Sequence, residues 1–314
     1  MTAYTREKMS RVVIALSAIA LASTHVASAQ QVSPAEHFQK IIDLSIPVDE
    51  AINAQKSGHT VIVVFDIDNT LLTMPQDLGG DTWFNWKKSE ISKDPQNQEP
   101  LDTFFSENSL LLQAGSMKPT QENTAALIRE LQDNGVAVYA LSARGDDLRG
   151  TTELALKSAG IDLSTEPECG PPLCSRRGNL NDAQIRDAAH ALGMNLPPKR
   201  FRPVTVSDGV MMIAGQNKGV MLPLLIESLS GTKFTDVYFV DDTLKNIEDV
   251  DANEVNIYRI HLFNYRKFWG DADRFNHDST RQEQTEKSLG RLREALCSAM
   301  KSALCPKPNA SQPD

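Results

Sequence analysis

Two aspartates follow a strongly apolar segment early in the chain. Residues 60–65 are rich in β-branched and aromatic side chains, and Asp66 and Asp68 come directly after them in the stretch DIDNT. A short run of this kind is typical of a buried strand. Two carboxylates so close together repel each other unless a cation or a proton separates them. The pattern therefore predicts a site for a hard divalent cation at the end of a strand.

Three later segments place further polar groups at the ends of predicted elements. Ser142 and Arg144 follow the apolar stretch VAVYAL, and Asp241 and Asp242 follow DVYFV. Lys218 lies near the start of an amphipathic helix in GQNKGVMLPLLIE. Ligands of parallel α/β sheets collect at the carboxyl ends of the strands. Hydroxyl, ammonium and carboxylate groups gathered there suit phosphate and magnesium chemistry.

Each of these residues also has a purely structural alternative. Aspartates at strand ends often cap the next helix, and Ser142 could hydrogen-bond the turn that follows its strand. Lys218 could be a solvated surface charge. Arg144 suits a structural ion pair almost as well as a phosphate contact. These alternatives are open for each residue alone, whereas the ordered set favours a common site.

The elements that would position these groups alternate along the chain. Apolar segments predict strands at 60–65, 136–141, 236–240 and 255–263. Amphipathic helical patterns at 120–135, 151–160 and 181–193 each end on a glycine. An entry helix is predicted over 33–46, with Ser33 as its cap and Pro34 at its first position. This alternation predicts a doubly wound α/β fold, in which helices cover both faces of a parallel sheet.

Two segments interrupt the alternation. Residues 73–118 are too long for a plain loop, and we interpret them as a cap inserted after the first strand, over the carboxyl end of the sheet. Within the cap, Trp83, Phe84 and Trp86 could stack on a substrate or form the core of the insertion. Asp208 and Gly209, between two short apolar runs, predict a β-hairpin.

The chain ends suggest an exported protein. Residues 1–29 combine three basic residues, an apolar run and small residues at a cleavage position, which predicts a secretory signal peptide rather than a membrane anchor. Removal of these residues takes away three basic residues and one glutamate, which changes the formal net charge from −9 to −11. So acidic a protein suits neither nucleic acid nor an anionic membrane, so we expect a small-molecule partner. We expect one domain over 30–305, a disordered tail over 306–314, and a periplasmic or secreted location.

The cysteines form two local pairs. An even number in an exported chain favours disulfides, and we predict Cys169 with Cys174 and Cys297 with Cys305. Sequence alone also permits the other pairings. A zinc site is disfavoured because the spacings lack a paired C-x-x-C.

Taken in order, the motifs resemble those of the haloacid dehalogenase (HAD) superfamily of hydrolases. The resemblance covers about residues 58–265, and it is closest to an uncharacterised group of secreted bacterial HAD-like proteins. It implies that Asp66 is a nucleophile that forms an aspartyl-phosphate and binds Mg²⁺ through its other oxygen. Asp68 resembles the general acid, which points to phosphatases within the superfamily, and its backbone carbonyl would also contact the metal.

The same resemblance implies roles for the remaining motif residues. Ser142 is similar to the hydroxyl that holds a phosphoryl oxygen, and Lys218 to the ammonium beside nucleophile and phosphate. Asp241 and Asp242 are similar to the acidic pair that completes the Mg²⁺ site. The expectation is an exported, Mg²⁺-dependent phosphatase that acts on a small phosphorylated metabolite, with no nucleic-acid partner and no stable membrane anchor. The alternative is a binding or host-interaction protein that keeps the fold with little catalysis.

Overall fold

The computed structural model describes residues 37–93, 99–164, 178–229, 232–253 and 255–299. In these ranges the strands are β1 (Phe38–Ile41), β2 (Val61–Phe65), β3 (Leu72–Thr73), β4 (Lys118–Pro119), β5 (Ala137–Ser142), β6 (Gly178–Leu180), β7 (Val204–Ser207), β8 (Val210–Met212), β9 (Asp236–Asp241) and β10 (Arg259–Tyr265). The helices are α1 (Ser45–Lys56), α2 (Asp81–Ser92), α3 (Glu99–Ala114), α4 (Thr124–Asp133), α5 (Arg149–Ser158), α6 (Asp182–Ala191), α7 (Lys218–Ser228), α8 (Leu244–Asp251), α9 (Trp269–His277) and α10 (Ser279–Ala299).

The central element is an eight-stranded sheet in the order β1-β10-β9-β2-β5-β8-β7-β6. The pairs from β1 to β8 are parallel, whereas β7, near one edge, pairs antiparallel with both β8 and β6. From β2 the chain continues to β5 on one side and later returns to β9 on the other. The predicted α/β class, with a mostly parallel sheet flanked by helices, is confirmed.

Both faces of the sheet are covered, which explains the apolar composition of β2. All five of its residues are buried. Val61, Val63 and Phe65 pack in one core with residues of α1, α4 and α5, whereas Ile62 and Val64 pack in a second core with residues of α6, α7 and α8. A strand buried on two faces has no polar side, so its sequence is continuously apolar.

The helix predicted over 33–46 is wrong in the part that the structure describes. Residues Phe38–Ile41 form the edge strand β1, which pairs in parallel with β10, and the helix begins only at Ser45. Short apolar runs suit either element, and here pairing with β10 decides. The proposed caps Ser33 and Pro34 lie outside the described ranges. The last predicted strand, over 255–263, is shifted toward the C-terminus in the structure. It forms β10 over Arg259–Tyr265, and its pairing with β9 begins where Arg259 lies opposite Asp236.

The hairpin predicted at Asp208 and Gly209 is confirmed. The φ angles of these residues are 47° and 71°, in the left-handed region that a two-residue hairpin turn requires. The turn joins β7 and β8, and β8 then pairs in parallel with β5. The hairpin therefore extends the main sheet.

The insertion after β2 is bracketed by the short antiparallel pair β3 and β4. Its helices α2 and α3 share a small core with α9 and α10, formed by Trp83, Phe104, Leu111, Phe275 and Leu289. Ion pairs join α10 to the insertion as well: Arg293 donates to Glu107, and Lys87 donates to Glu286. The insertion is thus fixed to the last two helices of the described chain.

Several expectations concern segments that the structure does not describe. The signal peptide over 1–29 and the tail over 306–314 lie outside the described ranges, and so do Cys169, Cys174 and Cys305. Cys297 lies in α10. Both disulfide pairings therefore stay predictions. In the described ranges, no helix combines the length and the apolar character needed to cross a membrane.

Candidate active site

The predicted site residues meet at the carboxyl edge of adjacent strands. Asp66 follows β2, Ser142 is the last residue of β5, and Asp241 is the last residue of β9. Because β2 lies between β5 and β9 in the sheet, these residues lie at the topological switch point, where the strand order reverses. Ligands of α/β sheets bind at this position. Lys218, the first residue of α7, reaches the same edge.

Lys218 forms the centre of a buried ion cluster. Its Nζ donates to Oδ1 of Asp66 and, at 2.7 Å, to Oδ2 of Asp241. The lysine side chain is only 1% exposed. Burial alone would lower the pKa of Lys218, but Asp241 and Asp66 outweigh burial and hold this pKa above its ordinary value. The ammonium is therefore charged, and the structural alternative of a solvated surface lysine is wrong.

Local backbone packing places Lys218 at this depth. The Asn217 side chain caps α7 by accepting a hydrogen bond from the backbone nitrogen of Val220. Gly219 lies directly against α8: a Cβ on this residue would be 1.9 Å from the carbonyl oxygen of Asp249. A glycine is thus required for α7 to approach α8 this closely.

Three carboxylates form a possible metal site. Oxygen atoms of Asp66, Asp241 and Asp242 lie within 4.8 Å of one another. Burial raises the pKa of Asp66 to about 8, against the opposing effect of Lys218. Burial, with the nearby charges of Asp81 and Asp241, also raises the pKa of Asp242 well above its usual range. Oxygen ligands with too little positive charge around them fit a hard divalent cation such as Mg²⁺.

Second interactions fix the orientation of the acidic pair. Asp241 accepts hydrogen bonds from the Asn246 side chain at 3.0 and 3.1 Å and from the backbone nitrogen of Thr243 at 2.8 Å. The carbonyl oxygen of Asp242 accepts from the Trp269 indole at 2.9 Å. Asp241 therefore both positions the start of α8 and faces the cluster, so capping and metal binding are compatible roles.

The side chain of Asp68 forms an ion pair with Arg144. The guanidinium donates to both carboxylate oxygens, at 2.9 and 2.7 Å, and also to Thr152 at 2.9 Å. The carboxylates of Asp66, Asp241 and Asp242 thus form one group, whereas that of Asp68 makes a bidentate ion pair. The predicted metal contact of Asp68 through its backbone carbonyl stays a prediction. Arg144 is itself buried, 6% exposed, which agrees with the ion-pair alternative for this residue.

Ser142 lies at the expected edge, and its hydroxyl serves the local turn. The side chain is fully buried, and its Oγ accepts a hydrogen bond of 3.3 Å from the backbone nitrogen of Arg144. This is the interaction that the structural alternative predicts. Among the described residues, the Ser142 hydroxyl makes no hydrogen bond to Asp66 or Lys218.

A cavity of about 630 Å³ opens beside the acidic cluster, between the sheet edge, the insertion and α9. Asp242 and Thr243 come from the sheet side, and Trp86 and Asp81 come from α2. Trp83, by contrast, is fully buried and donates to Glu286 at 3.1 Å. Of the tryptophans in the insertion, Trp86 lies on the cavity wall, and Trp83 belongs to the core.

Sequence reasoning missed Asp81. This residue opens α2, directly after the N-cap Gly80. Its carboxylate accepts from Asn85 at 2.8 Å and from Asn69 at 3.5 Å. Burial, with the nearby charges of Asp68 and Asp241, raises the pKa of Asp81 to about 7. A glycine followed by aspartate signals a helix start, but no sequence motif places that helix over the sheet edge.

Comparisons with known proteins identify a family without assigning an activity. One similar solved structure is titled "Phospho-Aspartyl Intermediate Analogue of Phosphoserine phosphatase"; the match covers 68% of this chain and 99% of that chain, with 12% identity and a TM-score of 0.28. A likeness this weak carries no functional argument. No curated protein matches the sequence. A family model described as "Protein of unknown function (DUF2608)" matches residues 43–287, and the chain therefore belongs to that family.

Proposed function

We propose that the protein is a Mg²⁺-dependent phosphatase of the HAD type, which hydrolyses small phosphomonoesters through an aspartyl-phosphate on Asp66. One observation carries the proposal: a buried ammonium, Lys218, joins Asp66 to Asp241 at the carboxyl edge of the sheet, beside the carboxylate of Asp242. Asp66, Asp241 and Asp242 would hold the metal. When bound, Mg²⁺ supplies positive charge that offsets the repulsion between a phosphate and these carboxylates.

The residues of the chain account for both halves of the reaction. An oxygen of Asp66 bonds to phosphorus while the bond from phosphorus to the leaving oxygen breaks, and a proton goes to the leaving oxygen. Water then attacks the phosphorus and gives a proton to Asp68, the bond between phosphorus and Asp66 breaks, and inorganic phosphate departs. Lys218 remains charged throughout and stabilises the negative oxygens that approach Asp66. No redox partner is required.

The proposed acid, Asp68, needs one rearrangement. Both of its oxygens accept hydrogen bonds from Arg144, so in this state the carboxylate is oriented by Arg144 and not by a leaving group. We assign proton transfer to a state in which Arg144 has released at least one oxygen of Asp68. The observed pair also favours the second candidate function, a protein that binds phosphate and metal without turnover, in which Arg144 never releases Asp68.

Hydrolysis of a chromogenic phosphate ester separates the two functions. The phosphatase proposal predicts release in Mg²⁺ that EDTA abolishes, and a loss of kcat of at least about a thousandfold in Asp66→Asn and in Asp68→Asn. Asp187→Asn, at an exposed aspartate of α6, is the matched control and should retain wild-type rates. Mg²⁺-dependent binding of inorganic phosphate without hydrolysis of any ester would favour the binding protein. Unchanged turnover in Asp66→Asn would refute Asp66 as the nucleophile.

We also propose that the protein acts outside the cytoplasm. The support is the leader-like composition of residues 1–29 and the even number of cysteines. Mass spectrometry of the protein purified from an expressing cell should show a mature chain that begins near Gln30. A chain that keeps residues 1–29 would contradict export with cleavage.

A further inference from the structure

The cavity beside the acidic cluster has an unusual charge distribution. Of the described residues that line it, none is a lysine, an arginine or a histidine, whereas Asp81, Glu90 and Asp242 contribute carboxylates. The remaining lining is aromatic or neutral, and it includes Trp86 and Trp269. A leaving group that carries negative charge would meet only like charge in this space.

Basic side chains lie near the cavity, but they are already engaged. Arg266 stacks on the Trp269 ring at 3.7 Å from the centroid, and Lys87 lies 5.9 Å from the centroid of the Trp86 ring. Glu90 is paired with Lys93 at 2.5 Å on an exposed part of α2. Neither Arg266 nor Lys87 lines the cavity. Since Lys93 pairs with Glu90, Asp81 and Asp242 are the described carboxylates of the lining that make no ion pair.

Asp81 is the carboxylate that lacks a counter-charge. In the described ranges it makes no ion pair, and it accepts hydrogen bonds from the neutral side-chain amides of Asn85 and Asn69. The charges beyond these amides are mixed: Asp68 and Asp241 oppose ionisation of Asp81, while Lys218 and Arg144 favour it only as weaker influences. A positive group in the cavity would supply what these surroundings lack.

We propose that the cavity selects phosphomonoesters whose leaving group carries an ammonium, with Asp81 as the residue that recognises it. The inference rests on the proposed phosphatase function and deepens it by assigning the class of substrate. The phosphate would lie against Lys218 and the acidic cluster, and the ammonium would lie beside Asp81. Trp86 lines the same cavity, and an aromatic ring of this kind attracts cations. Esters with a carboxylate on the leaving group are disfavoured by repulsion.

The test compares two esters of equal length and opposite charge. O-phosphoethanolamine carries an ammonium where phosphoglycolate carries a carboxylate, and p-nitrophenyl phosphate serves as a reference that has no charge on its leaving group. With the full-length protein in Mg²⁺, kcat/KM should be at least about tenfold higher for phosphoethanolamine than for phosphoglycolate. Asp81→Asn should reduce this ratio about tenfold, mainly through the KM of phosphoethanolamine, and Asp81→Glu should restore part of it. Asp187→Asn should leave the ratio unchanged.

The outcomes separate this inference from the function on which it rests. If the wild type hydrolyses p-nitrophenyl phosphate but shows no preference for phosphoethanolamine, the phosphatase proposal survives and the inference is refuted. A preference that persists in a folded Asp81→Asn protein refutes Asp81 as its source. No hydrolysis of any of the three esters refutes both. The wild-type ratio tests the inference even if Asp81→Asn does not fold, and Asp81→Ser then provides a second variant that keeps a good residue at the helix start.

Discussion

Replacing Lys218 by methionine should lower the free energy of unfolding by about 4 kcal/mol when no divalent cation is present. The ammonium is 1% exposed, and the side chains that it joins, Asp66 and Asp241, are 8% and 0% exposed. Removing one partner of a buried ion pair leaves the other charge without compensation, which costs roughly 3–5 kcal/mol. Methionine keeps most of the apolar stem, so the change reports mainly the lost charge.

The chain offers a matched control for this substitution. Lys245 also lies near the start of a helix and also pairs with an aspartate, Asp249, at 2.7 Å, but its side chain is 75% exposed. Exposed pairs contribute less than about 1 kcal/mol. Lys245→Met should therefore leave the urea concentration at the midpoint of unfolding close to that of the wild type, although it removes the same chemical group.

Urea unfolding in EDTA and in excess Mg²⁺ measures both effects. In Mg²⁺ the free energies of unfolding of Lys218→Met and the wild type should differ less than in EDTA, because a bound cation offsets part of the charge on Asp66 and Asp241. The double variant with Asp66→Asn should be at least about 1 kcal/mol more stable than the sum of the single changes predicts, since the residues are in contact. If Lys218→Met and Lys245→Met are equally stable in EDTA, the account of the cluster is wrong.

Three further predictions follow from other contacts. Gly219→Ala should destabilise the protein by at least about 2 kcal/mol in thermal unfolding, because the added Cβ would lie 1.9 Å from the carbonyl oxygen of Asp249. The control Gly290→Ala should be neutral or stabilising, because a Cβ on Gly290 would have no atom within 4 Å. Burial would raise the pKa of Asp236, but hydrogen bonds from surrounding side chains outweigh it and hold this pKa well below the ordinary range. A lowered pKa stabilises the fold above the unfolded value of about 3.9, and this stability is lost as the pH falls below that value. Asp236→Asn should therefore lower the free energy of unfolding by about 2 kcal/mol near neutral pH. The difference in unfolding free energy between this variant and the wild type, measured by urea titration, should shrink below about pH 4. A difference that stays constant with pH would contradict the lowered pKa of Asp236. Glu286→Gln weakens the contacts that α10 makes with the Trp83 indole and the Lys87 ammonium of α2. Backbone amide hydrogen exchange should therefore become faster in α2, while β2 stays protected. Equal exchange rates in the variant and the wild type would contradict a link between α2 and α10.

Local sequence predicts those parts of the fold in which one cause dominates. The apolar run of β2 has no polar face, so burial on both sides of a sheet is the arrangement that suits it. The turn at Asp208 and Gly209 is set by backbone sterics, which depend on the residues themselves. Asp66 and Asp241 could be placed together because the carboxyl ends of parallel strands meet at one edge.

The missed features depend on contacts between distant parts of the chain. Phe38 lies in a strand because it pairs opposite Leu262, more than two hundred residues later. Asp81 reaches the cavity because α2 packs through Trp83 on Phe275 and Leu289 of the last two helices. Neither partner is marked by a motif near the residue that it positions. Reading along the chain can identify a helix start at Asp81, but it cannot say what the helix faces.

The fixed insertion affects how selectivity can arise at this site. In a mobile cap, closure around the substrate can contribute to discrimination. Here α2 is attached to α10 through Glu286 and through the shared aromatic core, so the cavity wall is present before any substrate binds. If the protein is the phosphatase proposed above, its selectivity comes mainly from the groups on that wall, among them Asp81 and Trp86.

The balance of charge at the sheet edge connects stability to the proposed chemistry. One ammonium, Lys218, faces the carboxylates of Asp66, Asp241 and Asp242, and burial still raises the pKa of Asp66 to about 8. A nucleophile must be ionised, and burial opposes the ionisation of Asp66 even beside the Lys218 ammonium. A divalent cation would correct this deficit and stabilise the folded chain by the same interaction. Metal binding, ionisation of Asp66 and the free energy of unfolding should therefore change together, because all three depend on the excess of carboxylates over positive charge at this edge of the sheet.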